Sequence, residues 1–370
     1  MAPGITLFFL LSYGILFFYY RKGWQKTVDY VSERPENPLK ISVVIAARNE
    51  AENIPRLLDS LLSQTYSSEN FEVVIVDDHS TDNTFQLISQ QQHSNIRVLP
   101  LEASMGGKKK AIEFAISQTT GALIVATDAD CQLPPSWLET IAAFCVDNQS
   151  LFIAAPVKFN YRDRLIERFQ ALDFMMLQGI TASGIALNLH YMCNGANLAY
   201  SRKAFEDVNG FEGIDRIASG DDMLLMHKIR KNHPLKIHYL KNENAIVKTQ
   251  PMPSWKSFLM QRRRWASKNL MYDDIKIKFI LIFAYVFNLW FFVLAVSGLF
   301  SPIHFFYAFI FMLVKACIEF WFLKDVAKFY KEEELLKYLF LYQPLHLIYT
   351  IFTGLWSQFG NYEWKGRSTK

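Results

Sequence analysis

Apolar residues gather at the two ends of this 370-residue chain and alternate with polar ones in its middle. Residues 5–20 are almost wholly apolar and uncharged, and Arg21 and Lys22 follow at once. At ~1.5 Å of rise per residue, this stretch is just long enough to span a thin hydrocarbon core. It lacks the charged start and the small-residue cleavage site of a secretory leader. Basic residues on its C-terminal side predict an outward N-terminus and an inward main body. Residues 279–300 form a second uncharged stretch of spanning length. Residues 303–323 form a third, interrupted only by Lys315 and Glu319. These two stand one helical turn apart, where they neutralise each other inside a bundle or face protein with no functional role. The uncharged turn at Ser301-Pro302 belongs outside. Residues 335–358 are a last candidate, with Pro344 and His346 inside it. Three C-terminal spans would carry Lys365, Arg367 and Lys370 outside, against the positive-inside tendency, whereas a kinked or re-entrant last segment would keep them inside.

The middle reads differently. Apolar, β-branched runs at 41–47, 71–78, 96–101, 122–128 and 151–159 are nearly continuous, as strands buried on both faces are. Helical patterns at 53–64, 81–92, 108–118 and 136–146 separate them. This βαβα order predicts an α/β domain with a mostly parallel sheet, whose ligands bind beyond the carboxyl ends of the strands.

Composition narrows the class. Hydrophobic residues make up 51% and charged residues 20%, with 31 phenylalanines, which excludes a mainly disordered chain. A net charge of +4 gives no case for nucleic acid. The scattered Cys131, Cys145, Cys193 and Cys317 form neither a disulfide framework nor a metal pair. Small apolar packing is the default role of Cys131 and Cys193.

Three strand ends carry polar clusters: Arg48-Asn49-Glu50, Asp77-Asp78-His79-Ser80-Thr81-Asp82 and Asp128-Ala129-Asp130. Adjacent acids repel unless a cation or hydrogen-bond donors compensate. Hard oxygen ligands of this kind suit Mg²⁺ or Mn²⁺ held jointly with substrate phosphates. Gly106-Gly107-Lys108 opens the third helix, where glycine lets backbone approach an anion and Lys108 adds a positive charge. It is not a Walker A loop, and no dinucleotide fingerprint is present. Lys109 and Lys110 read as a solvated basic turn. Residues 254–278 alternate Lys256, Arg262, Arg263, Arg264, Lys268, Lys276 and Lys278 with aromatic and aliphatic residues, the pattern of an amphipathic helix on an anionic leaflet. Residues 161–180 are either a second such helix or a helix packed within the catalytic domain.

In order and spacing, these pieces resemble the family 2 glycosyltransferases of GT-A fold. The matching segments are Val43-Val44-Ile45-Ala46-Ala47-Arg48-Asn49-Glu50, Val76-Asp77-Asp78-His79-Ser80-Thr81-Asp82, Asp128-Ala129-Asp130 (the DxD element), Gly220-Asp221-Asp222, and Gln261-Arg262-Arg263-Arg264-Trp265 (the QxxRW motif). The resemblance covers residues 40 to about 270 and implies a Rossmann-like nucleotide-sugar domain with flanking transmembrane helices. It divides the chain into an N-terminal span (1–22), a GT-A domain (38–252), an interfacial helix with the QxxRW motif (253–276), C-terminal spans (277–360) and a basic tail (361–370).

Carried over position by position, the resemblance implies that Ala46, Arg48 and Glu50 line the nucleotide pocket. Asp77 and Asp78 hold base and ribose, and Lys108 matches the family's Gly-Lys. Asp128 and Asp130 contact the sugar diphosphate and its divalent metal, Mg²⁺ or Mn²⁺. Asp222 is the general base, with Asp221 beside it in a position where Glu is common, and the two roles are open to exchange. Gln261, Arg264 and Trp265 sit at the acceptor mouth and close over the diphosphate. His79 stands where Gly is usual, and Ala46 where Pro is common. Asn194-Gly195-Ala196-Asn197 is either an ordinary turn or the family's Gly-x-Asn segment near the acceptor.

The expected reaction moves a hexosyl or N-acetylhexosaminyl group from a nucleotide-diphosphate sugar, a UDP-sugar by preference, to a hydroxyl of a lipid, lipid-linked or glycan acceptor. A single base without a second nucleophile suits inversion. The expected setting is a membrane with the catalytic domain on the cytosolic face, a bacterial inner membrane by preference. A processive synthase needs more spans to enclose a glycan. Other readings are a catalytically dead assembly subunit, which would lack the DxD element or the base, and a nucleotidyltransferase, which would not need Gln261–Trp265.

Overall fold

The computed structural model describes residues 2–31, 38–91, 93–214, 220–268 and 274–359, and the backbone of 362–364 and 367–369. Two compact units emerge. One gathers Val28–Asn160, Tyr191–Gln250 and Glu363–Lys370, and the other Met1–Thr27, Tyr161–His190 and Pro251–Tyr362.

The first unit is built on a seven-stranded sheet. Its strands in chain order are β1 (Ile41–Ala47), β2 (Phe71–Asp77), β3 (Ile96–Pro100), β4 (Leu123–Asp128) and β5 (Phe152–Ala154). After β6 (Val157–Phe159) come β7 (Leu198–Ser201), β8 (Ile237–Tyr239) and β9 (Val247–Thr249). Across the sheet the order is β3-β2-β1-β4-β7-β5-β8. Strands β3, β2, β1 and β4 are parallel, as the uninterrupted apolar runs predict. Strand β7 runs antiparallel between β4 and β5.

The apolar run at 151–159 is not one strand. It breaks at Pro156, and β6 leaves the main sheet to pair with β9. Proline has no N–H for the ladder, so the chain turns where a central strand cannot continue. The fully buried Asn197 bolts this corner. Its amide donates to Pro156 O (2.8 Å) and Ala245 O (2.7 Å), and its Oδ1 accepts from Trp137 Nε1 (2.9 Å).

Register sets the chemistry. Ala47 of β1 pairs with Asp77 of β2, and Ala46 pairs with Asp128 of β4. The central strand is therefore flanked by carboxylates at one level of the sheet edge. This is the topological switch point where ligands of parallel sheets bind.

The second unit is helical. Among the described residues, three of its helices are long and apolar enough to cross a membrane: Ala2–Lys26, Ile275–Ser297 and Pro302–Tyr330. The helix Leu339–Trp356, with Pro344 inside it, is not among them. Ala2–Lys26 packs into this unit along one face, with Tyr13, Phe17, Tyr20 and Trp24 buried and Leu7, Phe8, Leu11 and Ile15 exposed. Gly23 lies so close to Leu165–Ala186 that a Cβ there would stand 2.5 Å from Ser183 O. Tyr13 stacks on Phe287 at 4.1 Å between ring centroids. Lys315 and Glu319 are ion-paired at 2.6 Å and buried. Gln343 bonds both, and Tyr13 Oη donates to Glu319 at 2.6 Å.

The amphipathic segment is shorter and less exposed than its pattern predicts. Its helix runs Trp255–Ala266, opened by a Ser254/Ser257 capping box, and Lys276 and Lys278 belong to the next helix. Arg262 and Arg263 turn into protein. Arg262 pairs with Asp173 at 2.6 Å, and Arg263 donates to the carbonyl of Phe359. A buried guanidinium is tolerable only with partners of this kind. Residues 269–273, and Lys365 and Lys370 of the basic tail, lie outside the described residues.

Candidate active site

The site is assembled at the carboxyl edge of β1, β2 and β4. Within the otherwise buried β1, Ala46 is partly exposed. The loops after β1 and β2 are stitched together. Arg48 Nη1 donates to Asp78 O (2.6 Å), Asn49 N to Ser80 Oγ (3.0 Å), Thr81 N to Asn49 Oδ1 (2.7 Å) and Glu50 N to Thr84 Oγ1 (2.8 Å). The Glu50 carboxylate accepts from Asn53 at 2.7 Å. Asn49 and His79 both take left-handed backbone, with φ of 53° and 58°. That explains the usual glycine at position 79. Histidine accepts the same conformation here, and its Nε2 lies 2.9 Å from Met105 O.

Asp78 is buried, and its Oδ2 accepts from Gly107 N at 3.0 Å. It therefore fixes the loop that leads into the helix Lys108–Ser117. Gly107 has φ of 96°, which side-chain-bearing residues rarely adopt. Asp77 accepts from Ser80 N through Oδ2, while its buried Oδ1 has no hydrogen-bond partner among the described residues.

Lys108 is the hub. Its ammonium lies 2.6 Å from Asp128 Oδ1 and 3.6 Å from Asp221 Oδ2. Burial alone would lower its pKa, but Asp128, Asp221 and Asp222 outweigh burial and raise it, so the ammonium stays charged. Asp221 and Asp222 open the helix Asp221–Asn232, whose dipole favours acids at that end. Gly195 N donates to Asp222 Oδ2 at 2.8 Å. The Asn194–Asn197 turn thus splits its labour: Gly195 holds a site carboxylate, and Asn197 holds the fold.

On the far side of the DxD element, Thr249 Oγ1 donates to Asp130 Oδ2 at 3.1 Å. Thr249 ends β9, and no sequence motif marks it. Its place follows from the β6–β9 pair, of which the apolar pattern merged β6 into the run 151–159 and marked no strand at β9. Lys109 departs from its expected solvated state. It is buried, and its ammonium donates to Ile214 O at 2.6 Å. Lys110 is exposed and pairs with Glu113. Burial, then Asp130 and Asp128, pushes the Cys131 thiol up. Burial, then Asp222 and Asp221, does the same to Cys193. Both shifts favour the protonated thiol.

The donor set fits a hard divalent ion held together with a ligand. Asp128 and Asp130 offer carboxylate oxygens. Among the described residues no group of three or more His, Cys, Asp or Glu stands ready to hold a metal unaided. Two carboxylates completed by diphosphate oxygens and water is the usual arrangement for Mg²⁺. Gln261, Arg264 and Trp265 lie on the Trp255–Ala266 helix of the helical unit. The Trp265 ring carries the Arg262 guanidinium at 4.3 Å.

The sequence profile of Glycosyl transferase family 2 matches residues 42–208, the stretch that contains β1 to β7 and the DxD element. Residues 42–208 are thus similar to a family 2 glycosyltransferase domain. Glycosyltransferase AglE of Haloferax volcanii is 31% identical over 192 residues, which is 50% of this chain and 59% of that protein. The undecaprenyl-phosphate 4-deoxy-4-formamido-L-arabinose transferase of Yersinia pestis is 31% identical over 156 residues, 40% of this chain and 45% of that protein. The chain thus spans less than two thirds of the length of these curated relatives. Among solved structures, the mannosyltransferase PcManGT of Pyrobaculum calidifontis, in complex with GDP-Man and Mn²⁺, superposes with a TM-score of 0.60 at 19% identity, covering 97% of this chain and 100% of that one. The likeness establishes the GT-A-like α/β fold of the glycosyltransferase domain.

Proposed function

We propose that the protein is a membrane-bound, inverting glycosyltransferase that moves a sugar from a nucleotide-diphosphate donor to a hydroxyl of a lipid or lipid-linked acceptor. The observation that carries this reading is the Asp128–Lys108–Asp221 chain of contacts, which joins the DxD element to the acidic pair in one site. The relative named for undecaprenyl-phosphate supports the acceptor class. The relative solved with GDP-Man and Mn²⁺ supports a nucleotide sugar and a divalent ion. Three helices of spanning length support the membrane setting, and Arg21 and Lys22 after the first stretch favour a cytosolic sheet unit.

In this reading Ala46, Arg48, Glu50, Asp77 and Asp78 shape the nucleotide end of the site. Asp128 and Asp130 hold Mg²⁺ or Mn²⁺ together with the donor. When bound, the ion supplies charge neutralisation of the leaving diphosphate. Asp222 takes the acceptor proton, its carboxylate oriented by Gly195 N–H on Oδ2 (2.8 Å) and Met223 N–H on Oδ1 (2.8 Å). Asp221 shares the Lys108 charge. Gln261, Arg264 and Trp265 act on the acceptor side.

The test is nucleotide release by the full chain in detergent with lipid extract, UDP- or GDP-sugars and Mn²⁺ or Mg²⁺. Metal-dependent release with a sugar-modified lipid is expected. Asp222→Asn should lower turnover by about 10²–10⁴-fold, the usual contribution of a general base, with the melting temperature unchanged. A long polymer would indicate a processive synthase instead. Equal release from both proteins would remove Asp222 from the mechanism.

A further inference from the structure

The Lys108 ammonium stands where a cation is needed. It touches Asp128, lies within ion-pair distance of Asp221 and sits in the field of Asp222. Its side chain is more covered than the Asp128 carboxylate it holds, at 21% exposure against 36%. Gly195 completes the cradle. A Cβ there would stand 2.8 Å from Lys108 Nζ and 3.5 Å from Asp222 Oδ2, so the missing side chain is the space the ammonium uses.

Two consequences follow from charge alone. A bare divalent ion approaching Asp128 must displace a close ammonium contact and then remain beside that like charge. A diphosphate removes both obstacles, because its negative oxygens neutralise the ion and give the displaced ammonium a new partner. Donor and metal binding are then coupled, and coupling between two ligands is reciprocal.

We propose that Lys108 is a resident counter-ion, neutralising Asp128 of the DxD element together with Asp221 before the donor arrives, so that the divalent ion enters only together with a nucleoside diphosphate. The proposal rests on the metal-assisted reading above and assigns Lys108 a positioning role in loading. The ammonium moves from a carboxylate to the diphosphate, and no covalent bond changes.

The test reads metal binding and needs no turnover. Full-length protein in detergent is titrated with Mn²⁺ while the EPR signal of the aqueous ion is followed, first alone and then with UDP or GDP, against nucleotide without protein. For the wild type, weak binding of Mn²⁺ alone is expected, tightened about tenfold or more by nucleotide, on the scale of one charge–charge interaction near a surface. Lys108→Met and Lys108→Gln should each bind Mn²⁺ alone about tenfold more tightly and lose most of the nucleotide-dependent gain. Lys108→Arg should behave as the wild type. Adding Asp128→Asn to Lys108→Met should abolish the new affinity, tying it to this site. If nucleotide tightens wild-type binding but neither uncharged variant binds Mn²⁺ more tightly alone, the counter-ion role is overturned and the metal-assisted reading stands. If no protein binds Mn²⁺ with or without nucleotide, both are overturned.

Discussion

Lys108 in the sheet unit and Lys315 in the helical unit each hold a carboxylate at 2.6 Å. Their surroundings differ in kind. Lys315 is fully buried, and its one carboxylate, Glu319, is also bonded by Gln343 and Tyr13. Lys315, Glu319, Gln343 and Tyr13 are all buried. Lys108 answers three carboxylates at once, and one of them, Asp128, is partly exposed. A closed polar cluster of matched charge holds helices together. An open cluster rich in carboxylate is poised to change partners. Ion-pair length does not separate the two cases; accessibility and charge balance do.

Four experiments break or sharpen this contrast. Lys315→Met should be the most damaging to stability, because it strands Glu319 without a counter-charge. A loss of about 3–5 kcal/mol is the usual cost of breaking one side of a buried pair. Thermal unfolding in detergent reads it, and Lys315→Met with Glu319→Leu should recover much of the loss. A double variant no better than the single would mean the cluster does more than pair charges. Next in size, Asp173→Asn weakens the anchor that accepts from Arg262 (2.6 Å) and Tyr349 (2.7 Å). Loss of a buried charge-assisted bond costs roughly 1.5–3 kcal/mol. Because Arg262 lies on the helix that carries Gln261, Arg264 and Trp265, the acceptor KM should rise while nucleotide affinity holds. An unchanged acceptor KM would leave Asp173 a purely structural part.

Gly195→Ala acts on the open cluster. The new methyl group meets the end of the flexible Lys108 side chain, so the fold should survive with little change in melting temperature. Turnover should fall about tenfold, equivalent to some 1.4 kcal/mol of barrier, as Lys108 and Asp222 shift. A fall in stability without a fall in rate would argue against the cradle. The smallest effect concerns Glu72, whose carboxyl responds first to burial, which raises its pKa. Hydrogen bonds from Thr120 and Ser42 and the nearby Arg97 outweigh burial and hold the folded value below 4.5. A lowered folded pKa stabilises above the unfolded value and fades as pH falls through the folded one. Glu72→Gln should therefore lower the melting temperature slightly at neutral pH, with the gap from wild type closing below about pH 4.

Much of the sheet could be read from sequence because strands buried on both faces are apolar without interruption, and β1, β2 and β4 are of that kind. The acids at their ends were visible for the same reason: a charge just beyond an apolar run needs a purpose. What escaped was whatever depends on a distant partner. Arg262 and Arg263 look like the basic face of a helix lying on an anionic leaflet until Asp173 and the Phe359 carbonyl appear beside them. Lys109 looks exposed until Ile214 O meets it. Thr249 carries no mark at all, because its contact with Asp130 is created by β9 pairing with β6. Pro156 was legible as a strand breaker, yet the apolar residues around it masked the break.

The way Tyr13 reaches Glu319 also constrains how the chain is made. A ribosome delivers the first helix long before residue 319 exists, and Gln343 only after it. During that interval the Lys315–Glu319 turn lacks its full set of partners, and an apolar surrounding is a poor place for it to wait. Ala2–Lys26 must therefore stay free to receive the helices that follow it, so assembly of the helical unit ends with a gathering of helices rather than a simple succession of them.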